Sequence, residues 1–255
     1  GKATFPAVSL VTGNMVLGWS KTQGKNTLSS SDYKAGDRIP TKNGKYYMVI
    51  FGMSMDRAPS VITKATKFDK VYCVGDSRTA DTKMALGVAV PSNVEFIAKW
   101  GEGLYWFKST GYRQLLSSVS KQPKNSKKAV IINLGVNDLN NGRAYVTYMK
   151  KVAANLKKYN CKMYYLSVNP VNSAMIKSVG GKARSEAQIA SFNRTIYKNL
   201  CSGKNKSFTY INSCTNLQMK GWISNRHDMG IYDGLHYSNA TYLRIFDYCM
   251  RYLNR

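Results

Sequence analysis

The segment KVYCVGDSR, residues 70–78, is the clearest indication of the fold, because an apolar run ends there in a turn of small and polar residues. Val71–Val74 carries the β-branched and aromatic residues that favour a buried strand. From Lys70 onward, similar apolar runs alternate with longer amphipathic stretches, a pattern typical of parallel strands joined by crossover helices. The sequence therefore predicts an α/β domain whose first strand ends at Gly75.

Five apolar runs qualify as buried strands, and five amphipathic stretches qualify as helices. The predicted strands are Val71–Val74, Val94–Ala98, Ala129–Leu134, Met163–Val168 and Phe208–Ile211. The predicted helices cover about residues 79–89, 104–118, 142–158, 184–200 and 240–253. Helices on both faces of a five-stranded parallel sheet give a three-layer αβα fold of the flavodoxin type.

Residues 1–58 have a different composition, rich in Gly, Ser, Thr and Lys, and precede the predicted α/β domain of residues 59–255. Short apolar stretches at Ala7–Val11, Met15–Trp19 and Tyr46–Phe51 predict a small β module. The order TFPAVSL, VLGWSKT, YKAGDRIP, YYMVIF resembles the β-grasp-like repeats of bacterial surface proteins of the Listeria-Bacteroides type. The resemblance implies a spacer or adhesive unit, and a plain extension packed on the larger domain is the alternative.

The chain is strongly basic, with 38 Lys and Arg against 13 Asp and Glu and a formal charge of +25. Such a field attracts polyanions, among them nucleic acid, teichoic acids and acidic polysaccharide. No recognition motif with interleaved aromatic residues stands out, so we do not expect a nucleic-acid partner. The lysines are spread along the chain without long basic blocks, and a purely solubilising role is the alternative.

Known cofactor and metal motifs are missing from the sequence. The patterns GxxxxGK[ST], GxGxxG and HExxH do not occur, and the five cysteines include no CxxC pair. We therefore expect no cofactor and no metal, while a Cys201–Cys214 bridge stays open for an oxidising compartment. No run of about 18 apolar residues occurs, so we expect no transmembrane segment.

Polar or small residues follow three of the predicted strands at the edge where open α/β sheets bind ligands. Ser77 follows the first strand and begins a helix, where the helix field favours a developing anion. Gly101 and Gly103 follow the second strand, and a glycine there can offer its N–H to an oxyanion. Asn137 follows the third strand and can donate its side-chain N–H to the same oxyanion.

Near the C-terminus, Asp233-Gly234-Leu235-His236 forms a carboxylate–imidazole pair. The three-residue spacing on a turn lets the carboxylate of Asp233 reach the Nδ1 proton of His236, which leaves Nε2 free as a base. The other histidine of the chain, His227, has no carboxylate three residues before it. His236 is therefore the predicted base.

These four blocks, Gly-Asp-Ser, Gly, Gly-x-Asn-Asp and Asp-x-x-His, resemble in order and spacing the SGNH hydrolases, also called the GDSL family of bacterial lipases and esterases. The resemblance spans about residues 70–255. It implies a catalytic triad of Ser77, His236 and Asp233. It also implies an oxyanion hole made by Ser77, Asn137 and Gly103, with Gly101 as the alternative to Gly103.

The sequence departs from the family where Arg78 replaces the usual leucine after Gly-Asp-Ser, which puts substrate preference in doubt. Arg78 is a candidate for binding an acidic substrate group, and Trp100 and Tyr105 are candidates for stacking on sugar rings. In the alternative reading, Arg78 points to solvent or pairs with a carboxylate, and the aromatic residues belong to the core.

The resemblance favours an esterase or O-acetylesterase acting on an acylated carbohydrate or cell-wall glycan. We expect a secreted or cell-surface protein whose signal peptide is absent from these residues, and an anionic cell-wall polymer as a further partner. A cationic binding module for such polymers, with a decayed hydrolase site, is the alternative function.

Overall fold

A computed structural model describes residues 2–5, 15–25, 27–34, 36–40, 44–51, 58–224 and 233–255. The chain forms two compact units. The first unit comprises Gly1–Ala58, Asn169–Ala190 and Cys214–Thr241, and the second comprises Pro59–Val168, Ser191–Ser213 and Tyr242–Arg255. That residues 1–58 form a separate domain of their own stays a prediction.

The second unit contains a five-stranded parallel sheet. Its strands are β5 (Lys70–Gly75), β6 (Val94–Ala98), β7 (Lys128–Asn133), β8 (Cys161–Leu166) and β9 (Thr209–Ile211). Their order across the sheet is β6-β5-β7-β8-β9. All five predicted strands are present, which together with the flanking helices confirms the predicted fold class.

Strand β5 pairs with β6 on one side and with β7 on the other, so that Gly75 lies opposite both Ala98 and Asn133. Side chains of a strand alternate between the two faces of the sheet. The hydroxyl of Tyr72 donates to the carbonyl of Ser118, while the next residue, Cys73, faces the opposite helix layer. β5 is therefore buried on both faces, as its continuous apolar run predicted.

Eight α-helices are described, and six of them correspond to the five predicted ones. They are α1 (Ser77–Leu86), α2 (Leu104–Trp106), α3 (Tyr112–Ser120), α4 (Gly142–Leu156), α5 (Ser173–Ser178), α6 (Glu186–Ile196), α7 (Ser213–Lys220) and α8 (Asn239–Leu253). The predicted helix over 104–118 is interrupted, because a π-helical turn at Phe107–Gly111 separates α2 from α3. The short helices α5 and α7 have too few turns to show a clear periodicity in the sequence.

Within the first unit, two antiparallel strand pairs form the predicted small β structure. β1 (Lys2–Thr4) pairs with β3 (Arg38–Pro40), and β2 (Met15–Ser20) pairs with β4 (Tyr47–Phe51). The ring of Phe5 packs against the rings of Trp19, Tyr33 and Tyr46 at centroid distances of 5.9, 4.8 and 5.0 Å. These pairs supply the local core, and the resemblance to a β-grasp repeat stays a prediction.

The cysteines of the chain are free thiols, so Cys201 and Cys214 are not bridged. Burial raises the pKa of Cys73 and of Cys201 to about 12, which keeps both thiols protonated at neutral pH. Within the described residues, no helix is long and apolar enough to cross a membrane. The predicted strand at Ala7–Val11 lies outside the described residues.

Lys128, the first residue of β7, is buried with an exposure of 0%. Its ammonium group donates to three carbonyl oxygens, those of Pro123 at 2.7 Å, Ser126 at 2.9 Å and Tyr159 at 3.0 Å. A buried charge is tolerated where hydrogen bonds replace its lost hydration. Lys128 therefore ties the loop before β7 to the loop before β8.

We predict that Lys128→Met lowers the free energy of unfolding by about 2 to 4 kcal/mol, because three carbonyl groups lose a charged donor. The neighbouring side chain of Lys127 is exposed, so Lys127→Met is the matched control and should change stability by less than about 0.5 kcal/mol. Urea unfolding followed by circular dichroism measures both values. Equal stabilities of the two variants would contradict the structural role of Lys128.

Candidate active site

Ser77 is the first residue of α1 and follows the end of β5 after only one connecting residue, Asp76. The side chain of Asp76 accepts a hydrogen bond from the N–H of Arg78 at 3.0 Å and thereby caps the helix. A Cβ atom on Gly75 would lie 2.0 Å from Oγ1 of Thr79, so the turn requires glycine. This tight turn fixes Ser77 at the positive end of the helix dipole.

The loop after β6 carries both candidate oxyanion glycines. Gly101 has a positive φ of 73°, and a Cβ atom there would meet nothing within 4 Å. Gly103 lies directly before α2, with extended backbone. Within the described part of the chain, no hydrogen-bond acceptor is found for the N–H of Gly103, which is thus available for a ligand.

Asn137 follows β7 by four residues and holds the loop that contains Gly103. One N–H of its side-chain amide donates to the carbonyl oxygen of Glu102 at 2.8 Å. A primary amide carries two N–H donors, and this bond uses one of them. The structure thus brings Asn137 and the Gly103 segment together, as the sequence predicted for an oxyanion hole.

Asp138 is a positioning residue to which the sequence analysis assigned no role. One oxygen of its carboxylate accepts the N–H of Leu104 at 2.9 Å, and the other accepts the hydroxyl of Tyr145 at 2.7 Å. A Cβ atom on Gly103 would lie 2.5 Å from Oδ2 of Asp138. The pair Asn137 and Asp138 therefore holds the loop on both sides of Gly103, since Glu102 and Leu104 are its two neighbours. The only sequence signal was the position of Asp138 next to Asn137.

Asp233 and His236 lie in the first unit, where they form the predicted pair. Nδ1 of His236 lies 2.6 Å from Oδ2 of Asp233, while Oδ1 accepts the backbone N–H groups of Leu235 and His236, each at 2.8 Å. Burial by itself would raise the pKa of Asp233, but the hydrogen bond and charge of His236 and the two backbone donors lower it below its ordinary value of 3.8. An ionised carboxylate only accepts hydrogen bonds, so Nδ1 carries the proton and Nε2 is left as the base.

The turn between Asp233 and His236 depends on Gly234. Its φ is +76°, and a Cβ atom there would lie 2.4 Å from the carbonyl oxygen of Asn172 and 2.7 Å from the backbone nitrogen of Ile176. The N–H of Asn172 donates to the carbonyl of Gly234 at 2.8 Å. The start of α5 therefore holds the turn that presents the imidazole.

The predicted site residues thus fall into two groups. The second unit contains Ser77, Gly101, Gly103 and Asn137, and the first unit contains Asp233 and His236. Each group has the local geometry described above, and their action as one triad stays a prediction. The alternative histidine, His227, lies outside the described residues.

The three candidate substrate-binding residues differ in exposure. Trp100 and Tyr105 are 59% and 83% exposed, and Nε1 of Trp100 donates to Oδ1 of Asp81 at 2.8 Å, which fixes the indole at the surface. Trp106, by contrast, is a core residue. Arg78 is 2% exposed, so its guanidinium lies away from bulk solvent, and its role towards substrate stays a prediction.

One protein family matches most of the chain. Residues 71–249 match the family described as GDSL-like Lipase/Acylhydrolase. The matched region contains both groups of predicted site residues. Comparison with curated proteins finds no significant match.

Solved structures with the same fold come from bacteria. A GDSL-like lipase from Bacteroides thetaiotaomicron VPI-5482 has 16% identity and a TM-score of 0.51, covering 76% of this chain and 92% of its own. A candidate acylhydrolase from Bacteroides fragilis NCTC 9343 has 15% identity and a TM-score of 0.52, covering 76% of this chain and 91% of its own. At these identities the likeness shows the fold alone.

We predict that Gly234→Ala destabilises the protein by at least about 3 kcal/mol, because a methyl group would collide with backbone atoms at a left-handed position. Gly101→Ala is the matched control, since Gly101 has nearly the same φ but open space around it, and should cost only about 1 kcal/mol. Urea unfolding of both variants measures the difference. A cost for Gly234→Ala no larger than that for Gly101→Ala would contradict the described turn.

Proposed function

Given that this chain belongs to the GDSL-like lipase and acylhydrolase family and is an ester hydrolase, we propose that it acts through a triad of Ser77, His236 and Asp233. The observation that carries the proposal is the Asp233–His236 pair. Its 2.6 Å contact and the lowered pKa of Asp233 prepare the imidazole as a base. The position of Ser77 at the start of α1 supports its role as nucleophile.

In the first step, Nε2 of His236 takes the proton of the Ser77 hydroxyl while the oxygen attacks the carbonyl carbon of the ester. The tetrahedral intermediate collapses, His236 gives the proton to the leaving alcohol, and the acyl group stays on Ser77. Water, deprotonated by His236, then attacks the acyl carbon; the bond to the Ser77 oxygen breaks, His236 returns the proton to that oxygen, and the acid is released. Asp233 stays ionised throughout and stabilises the imidazolium.

The oxyanion of each intermediate is held by the N–H groups of Ser77 and Gly103 and by the side chain of Asn137. Two observations support this assignment: the N–H of Gly103 has no acceptor among the described residues, and the side chain of Asn137 is held beside the Gly103 loop by its bond to Glu102. Asp138 acts indirectly, because its carboxylate holds the loop that carries Gly103. Preorganised donors of this kind are worth about 2.7 to 4 kcal/mol each in the transition state.

As substrate we propose a short-chain acyl ester on a carbohydrate or cell-wall glycan. The exposed ring of Trp100, on the loop that carries Gly103, and that of Tyr105, in the following helix α2, support this choice, because sugar rings stack on exposed aromatic faces. A glycan substrate of this type fits the secreted or cell-surface location that we propose for the protein.

We predict that Ser77→Ala lowers kcat for p-nitrophenyl acetate by at least about a thousandfold, because the nucleophile is lost. Asn137→Ala should lower kcat at least about 100-fold, because it removes an oxyanion donor and also the bond that holds the Gly103 loop through Glu102. Ser109→Ala, at an exposed serine of the same unit, is the matched control and should leave kcat unchanged. Equal turnover by wild type and Ser77→Ala would refute the triad and favour a cationic binding module whose hydrolase site has decayed.

We predict further that the double variant Trp100→Ala/Tyr105→Ala raises KM for release of acetate from an acetylated xylo-oligosaccharide about tenfold, because stacking on the sugar is lost. Turnover of p-nitrophenyl acetate, which has no sugar, should stay within about twofold. Tyr197→Ala removes a similarly exposed ring elsewhere in the second unit and serves as control. Parallel losses on both substrates would exclude a specific role for the two rings in binding carbohydrate.

A further inference from the structure

A second feature of the sheet lies at the end opposite to Ser77. A groove of about 1030 Å³ is formed by residues at the amino ends of β5, β7, β8 and β9 and at the end of α4. It belongs wholly to the second unit. Since β5 advances about 3.3 Å per residue from Lys70 to Gly75, roughly 17 Å separates this groove from the turn that carries Ser77.

The groove is strongly cationic. Six of its lining lysines are exposed, and we call them the groove lysines: Lys67, Lys127, Lys150, Lys157, Lys162 and Lys206. The described lining residues also include the buried Lys128 and one carboxylate, that of Asp69, which accepts the backbone N–H of Lys127 at 2.7 Å. Among the described residues, none of the groove lysines forms a salt bridge to a carboxylate.

Local contacts explain only part of this concentration of charge: Lys67 donates to the backbone oxygen of Arg255, and Nζ of Lys162 lies 5.4 Å from the ring centroid of Tyr164. Lys157 follows the last residue of α4, where a cation stabilises the helix dipole, but Lys162 lies on a strand and Lys206 in a turn. Like charges around one concave surface repel each other and destabilise the folded chain. A polyanion lying in the groove removes this repulsion and releases its counterions to solvent.

We propose that the groove lysines bind a flexible anionic polymer of phosphodiester-linked sugar or polyol units that carry no bases. A lysine ammonium is a point charge without fixed geometry and suits flexible phosphodiesters, and the described lining residues include no arginine, whose paired bonds would hold a carboxylate or phosphate in one fixed orientation. The two aromatic residues of the lining are poorly placed for stacking on bases. Phe208 is buried, and Phe68 packs edge-on against Tyr164.

Binding at this groove is separate from ester hydrolysis, because the groove lysines include none of the residues assigned to the catalytic site. A polymer in the groove leaves the carboxyl end of the sheet open. The protein can therefore hold an anionic surface polymer and an ester substrate together, which raises the local concentration of substrate attached to the same surface.

The test compares two triple variants with the same change in charge. Lys150→Gln/Lys157→Gln/Lys206→Gln removes groove lysines, and Lys83→Gln/Lys151→Gln/Lys198→Gln removes exposed lysines outside the groove. The probe is a fluorescent synthetic glycerol-phosphate polymer, and anisotropy measures its affinity at several salt concentrations. Thermal unfolding and turnover of p-nitrophenyl acetate verify that both variants are folded and that the catalytic site is intact.

We expect the groove variant to bind the polymer at least about tenfold more weakly than the wild type. The slope of log affinity against log salt should become less negative by about 2 to 3. The control variant should bind within about twofold of wild type. Replacing the same three groove lysines by Arg keeps the charge and should keep binding. This variant distinguishes the effect of lost charge from a structural effect of substitution at these positions.

Three outcomes would overturn the proposal. Equal losses in both triple variants would mean that the charge of the whole surface binds the polymer. If the wild type did not bind the glycerol-phosphate polymer, a polymer of this type would be excluded as the ligand of the groove. Tighter, groove-dependent binding of a single-stranded oligonucleotide of equal charge would assign the groove to nucleic acid.

Discussion

The close approach of β5 and α1 at Gly75 determines how the loops at the carboxyl end of the sheet are placed. A side chain there would collide with Thr79 of the helix and with the carbonyl of Asn133 on β7, 2.5 Å from the added atom. Because Gly75 leaves this space empty, the chain can leave the centre of the sheet and enter a helix within two residues. The same glycine accepts the N–H of Lys99 from the next loop at 3.2 Å. The Ser77 turn and the starts of the Gly103 and Asn137 loops thus meet around Gly75, at the carboxyl end of β5.

The parallel sheet also gives its two ends different properties. The carboxyl ends of β5, β6 and β7 carry loops whose backbone N–H groups and amides can hold an oxyanion. The amino ends carry lysines with almost no compensating carboxylates. One of these lysines, the buried Lys128, also stabilises the fold, because its ammonium group binds the loops before β7 and β8 to each other. The proposed reaction site and the proposed cationic binding surface thus lie at opposite ends of the strands of one sheet.

The sequence was sufficient to predict the sheet, because its strands are short apolar runs that alternate with longer amphipathic stretches. It also predicted the pairing of Asp233 with His236, since a three-residue turn leaves the two side chains few alternatives. It did not reveal the role of Asp138, because a bond to Leu104, 34 residues away, exists only once the loops have met. The burial of Arg78 and of Lys128 was equally hidden, since charged residues are normally exposed. The groove required the tertiary structure because its lysines are distant in sequence.

Covalent labelling tests whether Ser77 is a nucleophile activated by His236. Diethyl p-nitrophenyl phosphate transfers a diethylphosphoryl group to an activated serine with release of p-nitrophenolate, and peptide mass spectrometry locates the group. We expect a single adduct on Ser77, no adduct in Ser77→Ala, slow labelling of His236→Ala and labelling of His227→Ala at the wild-type rate. An adduct on another residue, or labelling of His236→Ala as fast as wild type, would contradict it.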